Sequence, residues 1–154
     1  MSKTTTWCLD VDGTVSAVRQ RAVEADRSNY PPVQRRSDRA CAPGYKRRKR
    51  GEVCRTRTTI AVGQTSEWLG TYGGSGNGDV KGELEQACRV IERYLKQQGS
   101  NVAHGIVRLD GLYGTASFVS VVQQAGLGYI LRCRDYHLLK DPAIAQRLEN
   151  AAAW

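Results

Sequence analysis

The sequence predicts an α/β protein whose mixed sheet combines an antiparallel hairpin with a parallel β-α-β unit and carries flanking helices. Two strand-like stretches joined by a tight turn predict the hairpin. Two stretches with helical periodicity come later, and each follows or precedes a short apolar strand. Because a helix that joins two strands favours a parallel crossover, the second half of the chain is expected to supply the parallel strands.

The first predicted strand, residues 4–12, ends in two acidic residues and a Gly13-Thr14 turn. Side chains alternate along a strand, so Asp10 and Asp12 are expected on the same face. At about 4 Å and an effective dielectric near 20, two such charges repel by roughly 4 kcal/mol. A positive group is therefore expected beside them, most simply a divalent metal ion held by oxygen ligands.

Two chemistries fit this acidic pair, and a solvated acidic turn without a function is the third interpretation. One is a metal-dependent phosphatase with Asp10 as nucleophile and Asp12 as general acid. The other is a nuclease or transposase that uses a strand carboxylate to hold a catalytic metal.

A basic segment follows the acidic pair. Residues 15–27 are predicted as a short helix, and residues 28–51, which lack periodicity, as a long loop; together they give a basic loop or arm over 19–52. From Arg19 to Arg57 there are 13 lysines and arginines against four acids, whereas the remainder has 10 basic and 11 acidic residues. The net charge of +8 therefore lies in one segment, which indicates a polyanionic partner; a solvated charged patch is the alternative.

The predicted hairpin pairs residues 53–62 with 67–72, and a glycine-rich connector over 73–79 leads into a helix over 80–98. The connector lacks the Gly-Lys-Ser/Thr ending of a phosphate-binding loop and is predicted to be a turn. The helix has a stripe for burial and a charged outer side. The buried stripe consists of Leu84, Ala87, Cys88, Ile91 and Leu95, and the outer residues are Glu83, Glu85, Arg89, Glu92 and Lys96.

The remaining elements alternate. A strand over 103–109 ends at Asp110, a helix covers 115–125, a strand covers 127–133, and a last helix covers 141–153 with Pro142 in its first turn. The five cysteines are scattered without metal-ligand spacing, so reduced thiols are expected. The N-terminus has no apolar block typical of a secretory signal and no apolar run approaches 18 residues, which predicts a cytoplasmic, nucleoid-associated protein without a membrane partner.

The order of these elements resembles the ribonuclease-H-like fold, in which the first and fourth strands are neighbours. Four stretches resemble bacterial insertion-sequence transposases of the DDE type. They are Leu9-Asp10-Val11-Asp12-Gly13-Thr14, the basic residues 44–52, residues 67–72 with the connector, and Arg108-Leu109-Asp110-Gly111-Leu112-Tyr113-Gly114.

The resemblance implies a site and its partners. Asp12 and Asp110 would be catalytic, and Asp10, Asp12 and Asp110 would bind Mg²⁺ or Mn²⁺ for attack on a phosphodiester by water and then by a DNA 3′-hydroxyl. DNA, as transposon ends and as target, would be the partner, with a homodimer as the assembly. The residues expected to contact DNA are Lys46, Arg47, Arg48, Lys49, Arg50, Arg55 and Arg57.

The chain departs from the family pattern at both ends. It begins almost at the first strand and stops at Trp154, so residues 1–154 are expected to form a single, incomplete catalytic core. Glu149, 39 residues after Asp110, is the candidate third acid, although this family carries that acid later. If the third acid is missing, the chain is inactive or a non-catalytic DNA-binding remnant.

A second resemblance favours the phosphatase. Asp-x-Asp-Gly-Thr after an apolar strand is also similar to haloacid-dehalogenase phosphatases. Those enzymes need a further acidic pair after a later strand for Mg²⁺, which this sequence lacks, and a segment of net charge +9 suits a small phosphomonoester poorly.

Overall fold

The computed structural model describes residues 5–18, 41–46, 49–132, 137 and 140–150, with residues 45–46, 49–52 and 147–148 described by their backbone alone. The strands are β1 (Trp7–Ala17), β2 (Ala42–Lys46), β3 (Lys49–Val62), β4 (Trp68–Tyr72), β5 (Gly105–Leu109) and β6 (Gly128–Leu131). The helices are α1 (Val80–Gln97), α2 (Ala116–Gln124) and α3 (Pro142–Glu149), and 3₁₀ turns at Val102–His104 and Gly111–Tyr113 flank β5. None of these described helices is long and apolar enough to cross a membrane.

The described strands form one mixed sheet in the order β2-β3-β1-β5-β6, with β4 also paired to β3. Strand β1 is antiparallel to β3 and parallel to β5, and β6 is parallel to β5. Strand β4 is antiparallel to β3, so the predicted hairpin is confirmed, and the parallel pairing of β5 with β6 confirms the β-α-β unit. Because β5 is the fourth strand of the predicted order, its place beside β1 confirms the ribonuclease-H-like arrangement.

Two predictions at the start of the sheet are wrong. Strand β1 does not end at Gly13 but continues to Ala17, because its whole length from Leu9 onward pairs with β3. The helix predicted over 15–27 is therefore absent from residues 15–17. The rest of that prediction, together with most of the arm, falls on residues 19–40, which lie outside the described residues.

The loop predicted over 28–51 is wrong where it is described. Residues 42–46 and 49–52 are strands, and β2 pairs with β3 in an antiparallel hairpin that has an irregular register at Gly44 and Tyr45. Backbone groups form this ladder, so it does not require the apolar alternation by which a strand is found in a sequence. Strand β3 consequently begins at Lys49 and not at the predicted residue 53.

The core lies between α1, α2 and one face of the sheet. The predicted buried stripe of α1 is confirmed, and α2 adds Val121 and Val122. From the sheet come alternate residues of three adjacent strands, which define the core face: Leu9, Val11, Ile60, Val62 and Val107. One α1 residue departs from the prediction, because Glu83 is only 7% exposed instead of lying on the outer side.

Candidate active site

The two predicted catalytic acids stand next to each other at the end of the β1–β5 ladder. The register pairs Val11 with Leu109, and Asp12 and Asp110 are the next residues on the two parallel strands. Neighbouring strands are separated by about 4.8 Å, so the two acids occupy adjacent backbone positions at one end of the ladder. Both acids are exposed.

Asp10 is held by an arginine of the neighbouring strand. It is registered with Arg108, whose Nε and Nη2 donate to its two carboxylate oxygens at 2.5 and 2.6 Å. The side chain of Asp10 is 37% exposed and that of Arg108 is 51% exposed. The hydrogen bonds to Asp10, and its charge, raise the pKa of the Arg108 guanidinium above its ordinary value.

This bidentate pair connects β1 to β5 two residues before the acids. Gly63 contributes the necessary space, since a Cβ there would lie 3.2 Å from Arg108 Nη2 and 3.4 Å from Asp10 Oδ2. The spacing of the two motifs in the sequence indicates this pair. Arg108 precedes Asp110 by the same two residues by which Asp10 precedes Asp12, so parallel pairing brings the two motifs into register.

Asp110 is fixed by the turn that follows it. Its Oδ1 accepts from the backbone N–H of Leu112 at 2.9 Å and thereby caps the 3₁₀ turn that ends with Tyr113. The ring of Tyr113 is fully buried and packs edge-on against Phe118 at 5.4 Å between centroids. The position of the acid is therefore anchored by a buried aromatic residue three positions away.

The same tyrosine explains why glycine follows Asp12. A Cβ on Gly13 would lie 2.5 Å from the Tyr113 hydroxyl and 2.6 Å from a methyl carbon of Leu112. The Gly13-Thr14 pair therefore does not end β1, as the sequence suggested; it lets the chain pass over Tyr113 without a clash. In this way Tyr113 contacts the backbone beside one predicted catalytic acid and anchors the turn of the other.

Burial raises the pKa of the Tyr113 hydroxyl to about 12, with further increases from the nearby charges of Asp110, Glu83 and Asp12. A hydrogen-bond partner, Thr58 at 3.4 Å, acts in the opposite direction. The charges of both predicted catalytic acids thus raise the pKa of the same buried hydroxyl. Tyr113 belongs to the Arg-x-Asp-Gly-x-Tyr stretch of the sequence, and the sequence pattern alone does not indicate its role.

Behind this turn lies a buried carboxylate that sequence reasoning missed. Glu83 accepts from the hydroxyls of Thr56 and Thr58 at 2.5 and 2.6 Å. Both threonines are on the core face of β3, so Glu83 fastens the first turn of α1 to the sheet. Its helical position gave no signal, because the residues that bury it come from a strand 25 to 27 positions away.

Asp10 and Asp12 share one face of the sheet with two arginines. The β1–β3 register pairs Asp12 with Thr59, Thr14 with Arg57 and Ser16 with Arg55, and paired residues point to the same side. We call this side, with Asp10, Asp12, Arg55, Arg57 and Arg108, the polar face. It lies opposite the core face, on which α1 and α2 pack.

The remaining predicted site residues are separate or undescribed. Glu149 is exposed at the last position of α3, and among the described residues no group of three His, Cys, Asp or Glu side chains could hold a metal ion. Lys46, Lys49 and Arg50 lie in the β2–β3 hairpin, where their side chains are not described. Arg47 and Arg48 lie outside the described residues.

The structure does not favour the phosphatase. That mechanism needs Asp10 as nucleophile, but both oxygens of its carboxylate accept from Arg108. Asp12, the general acid of that mechanism, lies instead beside Asp110 on the neighbouring strand. We call Asp12 and Asp110, on neighbouring strands, the acid pair.

Comparison with known proteins gives one structural likeness. The chain is similar to the crystal structure of the Mos1 mariner paired end complex with Mn, with a TM-score of 0.45 and 12% identity over 90% of this chain. It spans 41% of the length of that chain. No protein-family model and no curated protein matches the sequence. The fold assignment therefore rests on the strand order and pairing of this chain.

Proposed function

We propose that this chain carries the catalytic carboxylates of a DDE-type transposase core and acts on DNA phosphodiesters with a divalent metal ion. The observation that carries the proposal is the pairing of β1 with β5, which sets Asp12 beside Asp110. Two aligned carboxylates on adjacent parallel strands, exposed at one edge, form an oxygen-rich site that is open to a large substrate. The resemblance to insertion-sequence transposases gives the reaction class.

The donor set fits a hard cation. Mg²⁺ commonly takes one or two protein carboxylates and completes its octahedral shell with water and substrate phosphate oxygens. Asp12 and Asp110 would hold such an ion, which would act as a Lewis acid and promote formation of a nucleophile at neutral pH. Asp10 as a further ligand, and Glu149 as third acid, remain predictions.

The residues around the acids keep them in place. Asp110 is oriented by its hydrogen bond to the Leu112 N–H, and the buried Tyr113 holds that turn against β1. The Asp10–Arg108 pair holds the two strands together two residues before the acids. Preorganised ligands of this kind need little rearrangement when substrate binds.

DNA would approach the polar face. Arg55 and Arg57 are exposed there, and the backbones of Lys46, Lys49 and Arg50 lie in the β2–β3 hairpin, at the far end of β3 from its pairing with Asp10. Basic side chains along β3 would bind the backbone that leads to the acid pair. A homodimer, and transposon ends and target DNA as the partners, belong to the same proposal and follow from the resemblance alone.

A metal-binding experiment tests the proposal. Titration of Mn²⁺, followed by electron paramagnetic resonance, should show binding to the wild type that is weakened at least tenfold in Asp12→Asn and in Asp110→Asn. Glu85→Gln is the control, because it removes one carboxylate from α1, away from the acid pair. The same variants should lose Mn²⁺-dependent cleavage of a DNA duplex.

Two results would refute the proposal. If Asp12→Asn and Asp110→Asn bind Mn²⁺ as the wild type does, the acid pair is not a metal site. If the wild type hydrolyses p-nitrophenyl phosphate with Mg²⁺ and Asp10→Asn abolishes this turnover, the phosphatase is correct. Retained DNA binding without any metal binding would instead identify a non-catalytic DNA-binding remnant.

A further inference from the structure

A cavity of about 270 Å³ opens beside the edge of β3 where β4 ends and the glycine-rich connector begins. A single water needs roughly 10–15 Å³ of such volume, so a polyatomic ligand fits. We call the cavity the arginine pocket. It is lined by Arg55, Thr56, Arg57, Thr71, Tyr72, Gly73 and Gly74.

The connector, which the sequence predicted to be a turn, forms one wall of the pocket. It lies along β3 as a short edge segment, with hydrogen bonds from Thr56 N to Gly74 O and from Gly76 N to Cys54 O, both 2.9 Å. Gly73 permits this approach, since a Cβ there would collide with the carbonyl oxygen of Thr56. The wall is therefore tied to the strand that carries the arginines.

The charge of the pocket favours an anion. Arg55 and Arg57 are two residues apart on the same exposed face, and within the described part of the chain neither forms an ion pair. Two guanidinium groups this close repel each other, and an oxyanion between them relieves the repulsion. Arginine matches phosphate oxygens with paired N–H donors, which makes phosphate the best-fitting ligand class.

The register gives the distance from the pocket to the acid pair. Arg57 pairs with Thr14 and Arg55 with Ser16, two and four residues beyond Asp12 on the same face of β1. At about 3.3 Å per residue these positions are roughly 7 and 13 Å along the strand. One DNA strand rises about 3.4 Å per nucleotide along the helix axis, so the offset corresponds to about two to four nucleotides.

We infer that the arginine pocket is a phosphate-binding subsite, in which Arg55 and Arg57 hold a backbone phosphate two to four nucleotides from the one that faces the acid pair. The phosphate chemistry rests on the pocket itself, whereas its source, nucleic acid and not free phosphate, rests on the proposed function. The subsite would set which phosphodiester reaches Asp12 and Asp110.

The first experiment uses inorganic phosphate as the probe. The double variant Arg55→Gln/Arg57→Gln keeps the side-chain stems but removes both charges. Arg89→Gln/Arg93→Gln is the matched control, because it removes two exposed arginines from α1. Phosphate titrated into the wild type should shift the Arg Nε–H resonances of the pocket; the control should bind phosphate equally, and the pocket variant should not. Chemical denaturation confirms that all three proteins fold.

The second experiment uses DNA duplexes that carry one neutral methylphosphonate, moved along the strand from the cleaved position. At one position two to four nucleotides away, the wild type should lose about 10- to 100-fold in affinity, the usual range for a charge-assisted contact. The pocket variant should lose nothing more at that position. Its slope of log K against log salt should also be smaller by about 0.9 for each phosphate contact removed.

Each outcome separates the inference from the proposed function. If the pocket variant binds inorganic phosphate as the wild type does, the subsite is refuted. If a methylphosphonate weakens the wild type and the variant equally at every position, the backbone assignment is refuted. If the wild type binds phosphate through the two arginines but binds no DNA, the subsite stands for free phosphate and the proposed function fails.

Discussion

The two faces of the sheet differ in chemistry although they are formed by alternate residues of the same strands. On β1, Leu9 and Val11 are buried against the helices, whereas Asp10 and Asp12 point to the polar face. On β3, Ile60 is likewise buried on the core face, whereas its neighbour Thr59 lies on the polar face. One face thus supplies the apolar burial that stabilises the fold, and the other presents charges to a ligand.

Core packing and ligand binding are assigned to residues one position apart along each strand, but the two faces are not independent of each other. Tyr113 and Glu83 lie on the core side, yet Tyr113 anchors the turn of Asp110 and Glu83 fastens α1 to β3. Substitutions on the core face should therefore change stability strongly, and substitutions on the polar face should change binding with little effect on stability.

Ile60→Ala tests the core face. Ile60 is fully buried in the core cluster, so its truncation should lower the free energy of unfolding by about 2–5 kcal/mol. The neighbouring substitution Thr59→Ala, on the polar face, should change it by about 0.5 kcal/mol. Urea denaturation of the two variants measures both. Equal losses in the two variants would show that the polar face is also packed against something.

The pH dependence of stability tests the link through Tyr113. Burial raises the pKa of its hydroxyl from an ordinary 10 to about 12, so the folded protein holds this proton more tightly than the unfolded chain. The resulting stability is complete below pH 10 and is lost as the pH rises from about 10 to about 12, by up to roughly 1.4 kcal/mol per pH unit.

Tyr113→Phe should remove this contribution while keeping the ring. Between pH 9 and pH 11.5, the unfolding free energy of the variant should therefore fall less than that of the wild type, as followed by circular dichroism in denaturant. The wild-type signal for tyrosine ionisation at 295 nm should include one late group. Identical pH profiles for the two proteins would contradict the burial of this hydroxyl.

Glu83→Gln tests the buried carboxylate. It replaces an acceptor of two threonine hydroxyls with an amide, which leaves buried hydrogen-bonding groups imperfectly matched and should cost about 1–3 kcal/mol of unfolding free energy. Glu85→Gln, half-exposed on the same helix, should cost about 0.5 kcal/mol or less. Thermal and urea denaturation of the pair give the comparison. If Glu83→Gln left the free energy of unfolding unchanged, the threonine hydroxyls would have to find other acceptors.

Sequence patterns predicted the parts of this fold whose cause is local. The stripe of α1, the hairpin of β3 and β4, and the strand that delivers Asp110 all follow from periodicity and turn residues within about 20 positions. The adjacency of Asp12 and Asp110 followed from the resemblance, and the strand pairing agrees with it. These elements carry both the core and the acid pair.

The failures have causes that are distant in the sequence. Gly13 was interpreted as the end of a strand, although it makes room for a tyrosine 100 positions later. Glu83 was placed outside because helical periodicity does not include the threonines of β3. Strand β2 and the first four residues of β3 escaped prediction because backbone pairing, and not side-chain alternation, defines them.

The Asp10–Arg108 pair lies on the polar face, and its loss should have the smallest effect on the free energy of unfolding among these changes. Both side chains are more than a third exposed, so solvent screening should leave the pair only a small contribution to the free energy of unfolding. A double-mutant cycle with Asp10→Asn and Arg108→Gln measures this coupling. A coupling as large as the effect of Ile60→Ala would show that the polar face is structural as well.

The same variants decide whether Asp10 is a metal ligand or a residue that positions the acids. Both of its oxygens accept from Arg108, so we expect Asp10→Asn and Arg108→Gln to weaken Mn²⁺ binding by similar factors, since each loosens the same connection between β1 and β5. The exchange Asp10→Arg with Arg108→Asp should then restore part of the affinity. A ligand would behave differently: Asp10→Asn alone would weaken Mn²⁺ binding more than tenfold, and Arg108→Gln, by releasing the carboxylate, would strengthen it. That second pattern would return Asp10 to the metal site predicted from the sequence.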